Sequence, residues 1–81
     1  MSMPEQLTNA LEGALATARA EYRDAVLELA GLEAGKEASS GREPADVDRI
    51  HHARTRVIAL EAAREELRRM IDEGVSLPNN G

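Results

Sequence analysis

Apolar residues recur along two segments of the chain at alternating spacings of four and three residues. The first stripe consists of Leu11, Leu15, Ala18, Tyr22, Ala25, Leu29 and Leu32. The second stripe consists of Ile50, Ala53, Val57, Leu60, Arg64, Leu67 and Ile71, in which the arginine is the one polar member. Heptad spacing of this kind is typical of helices that pack along one face. Because a segment containing Gly, Ser and Pro separates the stripes, the pattern predicts an all-α, coiled-coil-like antiparallel two-helix hairpin.

Capping residues indicate where each helix begins and ends. Ser2 and Glu5 fit a capping box, so helix one is expected over residues 3–34, with an extension to 40 as the open alternative. Pro44 suits the first turn of helix two, which is expected over residues 44–73 with Gly74 as the left-handed residue that ends it.

These ends divide the chain into one domain and a tail. The hairpin covers residues 1–75, with its loop at about 35–43. Residues 76–81 show no apolar periodicity, and we expect them to be disordered.

Two antiparallel registers, one heptad apart, suit a loop of this length. The register we prefer layers Leu15 against Leu67 and Leu29 against Ala53, so that large residues face small ones in several layers. Its flanking ion pairs are Glu12–Arg68, Arg19–Glu61 and Glu28–Arg56. The other register favours Glu21–Arg56 and Glu28–Arg49 but opposes Glu12 to Glu61 and Arg19 to Arg54.

The composition indicates that this hairpin is an incomplete core. The chain has 81 residues, a single aromatic residue (Tyr22) and no cysteine. A core in so short a chain contributes about 3–5 kcal/mol, and no disulfide can add to it. We therefore expect dimerisation, or docking on a helical protein partner, to complete the hairpin.

The apolar stripe widens on one flank, close to the chain termini. In heptad notation, with a and d on the packed seam, Leu7, Ala14, Ala63 and Met70 all occupy g positions. They extend the seam sideways, and such exposed apolar patches usually mark interfaces. The predicted interface consists of Leu7, Leu11, Ala14, Ala63, Leu67, Met70 and Ile71. On the opposite flank Val26 and Val47 occupy e positions, while Leu27 and Ile58 are interpreted as isolated surface residues.

The charge and hydropathy of the chain narrow the classes of partner. The net charge of −5 argues against a direct nucleic-acid binder. No apolar run reaches the roughly 18 residues that a membrane span requires, and no secretory signal pattern is present. We therefore expect a cytoplasmic protein. Nine arginines against one lysine, with abundant Ala and Gly, suggest a GC-rich bacterial or phage genome.

No residue pattern indicates catalysis or a bound cofactor. His51 and His52 are adjacent, and adjacent helical side chains diverge by about 100°, so we interpret them as solvated rather than metal-binding, despite the nearby Asp48. Ser39-Ser40-Gly41 lacks the spacing of a phosphate-binding loop. The sequence therefore predicts no enzyme, no metal, no cofactor and no small-molecule substrate.

Two groups of arginines have both structural and functional interpretations. Arg49, Arg54 and Arg56 form a basic segment that phosphate could contact, but we expect Arg49 and Arg56 to pair with glutamates of helix one, Glu28 and Glu21. Arg64 interrupts the second stripe, where it either extends past the small Ala18 towards solvent or specifies register and oligomeric state.

These patterns favour a non-enzymatic protein–protein interaction module, such as a small adaptor, a co-chaperone or an inhibitor. One alternative is a bacterial or phage acidic inhibitor that competes with nucleic acid on a host protein. Its phosphate-like row would consist of Glu21, Asp24, Glu28 and Glu33. A second alternative is a structural assembly subunit.

Overall fold

The structure is a computed structural model that describes residues 2–35 and 44–78, with side chains from 47 onward in the second segment. It contains two helices, α1 (Met3–Gly35) and α2 (Pro44–Asp72), packed against each other, and no strand among these residues. The all-α helical hairpin predicted from the heptads is confirmed. The predicted extension of helix one to residue 40, the loop serines and the last three residues lie outside the described part of the chain.

Local hydrogen bonds explain where α1 begins. The Glu5 amide donates to the Ser2 hydroxyl at 3.3 Å, and that hydroxyl donates to a Glu5 carboxylate oxygen at 2.9 Å. The Gln6 amide donates to the Ser2 carbonyl at 3.0 Å, the first bond of the helical ladder. Ser2 is therefore the N-cap, and its hydroxyl accepts from the Glu5 amide, which the helix itself leaves without a partner.

The end of α2 is a Schellman motif. Gly74 has a φ of 74°, in the left-handed region where a glycine has no Cβ to clash. Its amide donates to the Ile71 carbonyl at 3.1 Å, and the Val75 amide donates to the Met70 carbonyl at 2.9 Å. Both bonds are those of the motif, so the chain leaves the helix at the glycine that the sequence indicates.

The core is narrow and consists mostly of alanine. Four apolar residues are buried, Leu15, Ala18, Ala25 and Ala53, and no charged or polar residue among those described is buried with them. Leu15 is the largest fully buried side chain. Since alanine contributes little apolar area, the helices approach closely but bury little surface.

The molecule is a rod rather than a globule. Its principal extents are 57 × 19 × 18 Å, and its radius of gyration is 17.8 Å. A compact domain of this length would have a radius of gyration of about 12 Å. Most residues outside the four-residue core therefore remain partly or fully in contact with solvent.

Ion pairs show that the helices are antiparallel. Taken in ascending order along α1, the four interhelical pairs contact successively lower positions in α2: Glu12–Arg64, Arg19–Glu61, Glu21–Arg56 and Glu28–Arg49. The order is that of a hairpin, with the Glu28 pair nearest the loop and the Glu12 pair nearest the termini.

The same ion pairs do not select either predicted register. Arg19–Glu61 belongs to the preferred register, whereas Glu21–Arg56 and Glu28–Arg49 belong to the other. Two pairs of the preferred register are wrong. Glu12 binds Arg64, while Arg68 lies 3.6 Å from Glu65 of its own helix. Glu28 binds Arg49 rather than Arg56. The physical reason is reach, since a flexible arginine can span about one helical turn, roughly 5.4 Å, to the nearest carboxylate.

Candidate functional site

The termini-proximal flank, defined as Leu7, Ala14, Ala63 and Met70, lies at the end of the rod away from the loop. The Glu12–Arg64 ion pair, 3.1 Å long, lies within this end, with Leu7 and Met70 on its terminal side and Ala14 and Ala63 just on its loop side. Ala63 is exposed, whereas the other three residues are half-buried. Leu11, Leu67 and Ile71, the seam residues of the predicted interface, are also half-buried. All seven predicted interface residues therefore lie at one end of the hairpin, and none belongs to its buried core.

Ion pairs cover the loop-proximal part of the same flank. Arg56 donates to a carboxylate oxygen of Glu21, and Arg49 donates to one of Glu28. This confirms the prediction that both arginines pair across the helices. All four side chains stay about half exposed, so each pair stabilises the hairpin by at most about 1 kcal/mol.

On the opposite flank two further ion pairs connect the helices. Arg19 donates to Glu61 at 2.9 Å, and Arg64 donates to Glu12 at 3.1 Å. The Arg64 side chain is only 26% exposed, and its Nε is buried without a hydrogen-bond partner. Arg64 therefore extends from the seam towards solvent, as predicted, at the cost of one unsatisfied donor.

A depression of about 260 Å³ lies beside the two histidines and is lined by Asp48, His51, His52 and Thr55. A second one, about 240 Å³, surrounds the loop-proximal ion pairs and includes His52 on its wall. Both lie on the surface of a rod only 19 Å across. Within residues 2–35 and 44–78, no three His, Asp or Glu side chains converge to hold a metal ion.

The structure also shows a surface that sequence reasoning missed, the arginine–aliphatic patch. Leu27 is 65% exposed, Ile58 48% and Val26 42%. The heptad pattern treats Leu27 and Ile58 as isolated because they lie off the seam. Val26 and Leu27 neighbour Arg23 on α1, and Ile58 neighbours Arg54 on α2, by helical spacing, and the hairpin brings the two groups together.

Comparisons with known proteins assign no family to the chain, so its function is inferred from these surfaces. No protein-family model, curated protein or solved structure matches the chain. Neither α1 nor α2, searched over the part of the chain that the structure describes, is long and apolar enough to cross a membrane.

Proposed function

We propose that this protein is a non-enzymatic protein–protein interaction module that binds through its termini-proximal flank. The observation that carries the proposal is the incompleteness of the core. Among the residues whose side chains the structure describes, only Leu15, Ala18, Ala25 and Ala53 are buried, and three of these four are alanines. A helix pair with so little buried area gains stability by covering its remaining apolar edge with another helical surface.

The surface area supports this interpretation. The solvent-accessible surface is 5862 Å², whereas a compact monomer of this mass has about 4,800 Å². The excess is comparable with the roughly 800 Å² that each partner buries in a standard interface. One hairpin docked along the rod would therefore bring the exposed area close to that of an ordinary folded protein.

The distribution of charge indicates which flank is covered. The g positions near the loop form two ion pairs between the helices, Glu28–Arg49 and Glu21–Arg56. The termini-proximal flank has only aliphatic and alanine side chains at the equivalent positions. Desolvating apolar side chains is favourable, while desolvating exposed ion pairs is not, so the termini-proximal end is the better interface.

The partner we propose is a second copy of this chain, forming a four-helix arrangement, or a helical segment of another protein. An adaptor, a co-chaperone, an inhibitor and a structural assembly subunit would all use the same flank. In this proposal the protein acts in the cytoplasm and carries out no chemistry.

The acidic-mimic alternative receives less support. Glu21 and Glu28, two members of the proposed phosphate-like row, are neutralised by arginines of α2. Glu33 also has an interaction of its own. A row whose charges are paired within the hairpin imitates a phosphate backbone poorly, because binding to such a mimic depends on uncompensated negative charge.

The experiment compares Ala63→Glu with Ala62→Glu. Both alanines are exposed in the hairpin, but Ala62 lies about 100° further around α2. We expect Ala63→Glu to lower the molar mass measured by light scattering to that of a monomer, while far-UV circular dichroism stays unchanged. Ala62→Glu should keep the wild-type mass.

Met70→Glu provides a second substitution on the same flank and should act like Ala63→Glu. A wild-type chain that stays monomeric at high concentration would exclude self-association. Equal masses for the wild type and both flank variants would exclude this flank as the self-interface.

A further inference from the structure

Two arginines differ from all the others that the structure describes. Arg23 and Arg54 are exposed, and neither forms an ion pair with a described residue. Each of the other described arginines is paired, within its own helix or across the hairpin. In a chain of net charge −5, cations without a carboxylate partner are the exception.

The Arg19–Glu61 ion pair shows that these two arginines share a face. It joins the helices at 2.9 Å and so aligns this flank of α1 and α2 to within about one helical turn, the reach of an arginine side chain. Seven residues further along α1 is Val26, and seven residues back along α2 is Arg54, so both lie about two turns nearer the loop. By the same reasoning Arg23 and Ile58 lie about one turn from the ion pair.

Exposed aliphatic side chains lie beside the arginines on each helix. On α1, Val26 and Leu27 are three and four residues from Arg23, and on α2, Ile58 is four residues from Arg54, spacings that place side chains next to each other. Their exposed fractions, 42% to 65%, are the highest among the large aliphatic side chains described. Aliphatic side chains beside arginines are typical of protein-binding surfaces, where arginine is enriched.

We propose that the arginine–aliphatic patch binds an acidic amphipathic helix of a partner protein. The apolar stripe of that helix covers Val26 and Ile58, and its flanking carboxylates pair with Arg23 and Arg54. Both arginines are available because no carboxylate among the described residues pairs with them. Recognition is of the helix-in-groove type, with charge complementarity deciding which amphipathic helix binds.

The net negative charge of the protein does not prevent this. Exposed charges are screened over about 8 Å at physiological ionic strength. Glu61, a carboxylate on this face, is already paired with Arg19. Its charge is therefore largely compensated within the hairpin.

Nucleic acid and a second copy of the chain fit the patch less well. Two cations supply little phosphate neutralisation, and the patch has no aromatic side chain on which a base could stack. In a second copy, Glu21 and Glu28 are occupied by Arg56 and Arg49 of their own hairpin.

The test uses synthetic helical peptides about three heptads long, with leucine at every a and d position. The acidic peptide carries glutamate at all e and g positions, so that carboxylates flank its apolar stripe in any register. Two control peptides carry glutamine or lysine at those positions. Binding to the full chain is measured by fluorescence anisotropy at low ionic strength. We expect the acidic peptide to bind more tightly than the glutamine peptide.

Charge reversal provides the decisive comparison. Arg54→Glu should weaken binding of the acidic peptide about tenfold and give measurable binding of the lysine peptide. Arg68→Glu changes the net charge equally at an arginine paired within α2, and it should leave the affinity unchanged. Ala63→Glu should also bind normally, which separates this patch from the termini-proximal flank.

Three outcomes would overturn the proposal. The first is the absence of acidic-peptide binding to the wild type. The second is equal affinity for the acidic and glutamine peptides, and the third is equal affinity of the wild type and Arg54→Glu. Tighter binding of an oligonucleotide than of the acidic peptide, abolished by Arg54→Glu, would reassign the patch to nucleic acid.

Discussion

The two halves of one flank of this hairpin are built from different chemistry. Near the loop, Glu28–Arg49 and Glu21–Arg56 bridge the helices at the g positions. Near the termini the equivalent positions hold Leu7, Ala14, Ala63 and Met70. The loop-proximal half of the flank therefore carries paired charges, while the termini-proximal half carries the apolar side chains of the proposed interface.

The two halves of the hairpin also differ in their buried core and along the packed seam of a and d positions. Leu15, the one large side chain that is fully buried, and Arg64, with its unpartnered Nε, both lie towards the termini. The loop-proximal core contains alanines, Ala25 and Ala53. The termini-proximal half thus has the largest single apolar contribution to stability and also the one unsatisfied polar group on the seam.

Leu15→Ala should have the largest effect on folding. Truncating a fully buried leucine costs about 2–5 kcal/mol, which is comparable with the total stability expected of so short a domain. We expect circular dichroism and urea denaturation to show a largely unfolded variant. The control is Leu27→Ala at a 65% exposed site, which should change the unfolding free energy by less than about 0.5 kcal/mol. Equal losses in both variants would contradict the described core.

Arg64→Leu should stabilise the protein. The substitution removes a buried donor that has no partner, worth about 1–3 kcal/mol. It sacrifices one ion pair with the half-exposed Glu12, worth about 1 kcal/mol. Urea denaturation should therefore show a net gain of about 1 kcal/mol.

The matched control for that prediction is Glu12→Gln, which removes the same ion pair but leaves Arg64 in place. A small loss in this variant, beside a gain in Arg64→Leu, would locate the cost at the buried Nε. A clear loss of stability in Arg64→Leu would show instead that the arginine is required on the seam.

Arg49→Gln should have the smallest effect on stability of the three substitutions. It tests the loop-proximal half of the flank, which carries ion pairs and is not part of the proposed interface. The ion pair with Glu28 is about half exposed, so its loss should cost less than about 1 kcal/mol and vanish at high salt. The molar mass should stay that of the wild type. A change in oligomeric state would mean that the loop-proximal flank, rather than the termini-proximal one, forms the contact.

Several features of this structure can be read from sequence because their causes are local. The heptad spacing predicts the two helices, and Ser2, Glu5 and Gly74 form the hydrogen bonds and the positive φ expected at helix ends. The pairing of Arg49 and Arg56 with Glu28 and Glu21 was also predictable, since opposite charges stand at matching heptad positions. Each of these inferences needs only a helical period and a side-chain type.

The register and the arginine–aliphatic patch cannot be predicted in this way, because both depend on the axial position of one helix relative to the other. Glu12 has two arginines within one heptad of its level, and sequence cannot show that it binds Arg64 rather than Arg68. Likewise Arg23 and Arg54 belong to different helices, and only the packed hairpin shows that neither pairs with a described carboxylate. The sequence by itself thus determined a helical hairpin and its capped ends, since those follow from short-range periodicity and hydrogen bonding. Only the tertiary structure decided which charges are paired and which described arginines have no ion pair. A long arginine side chain can reach more than one carboxylate, and the packing of the two backbones determines which one it contacts.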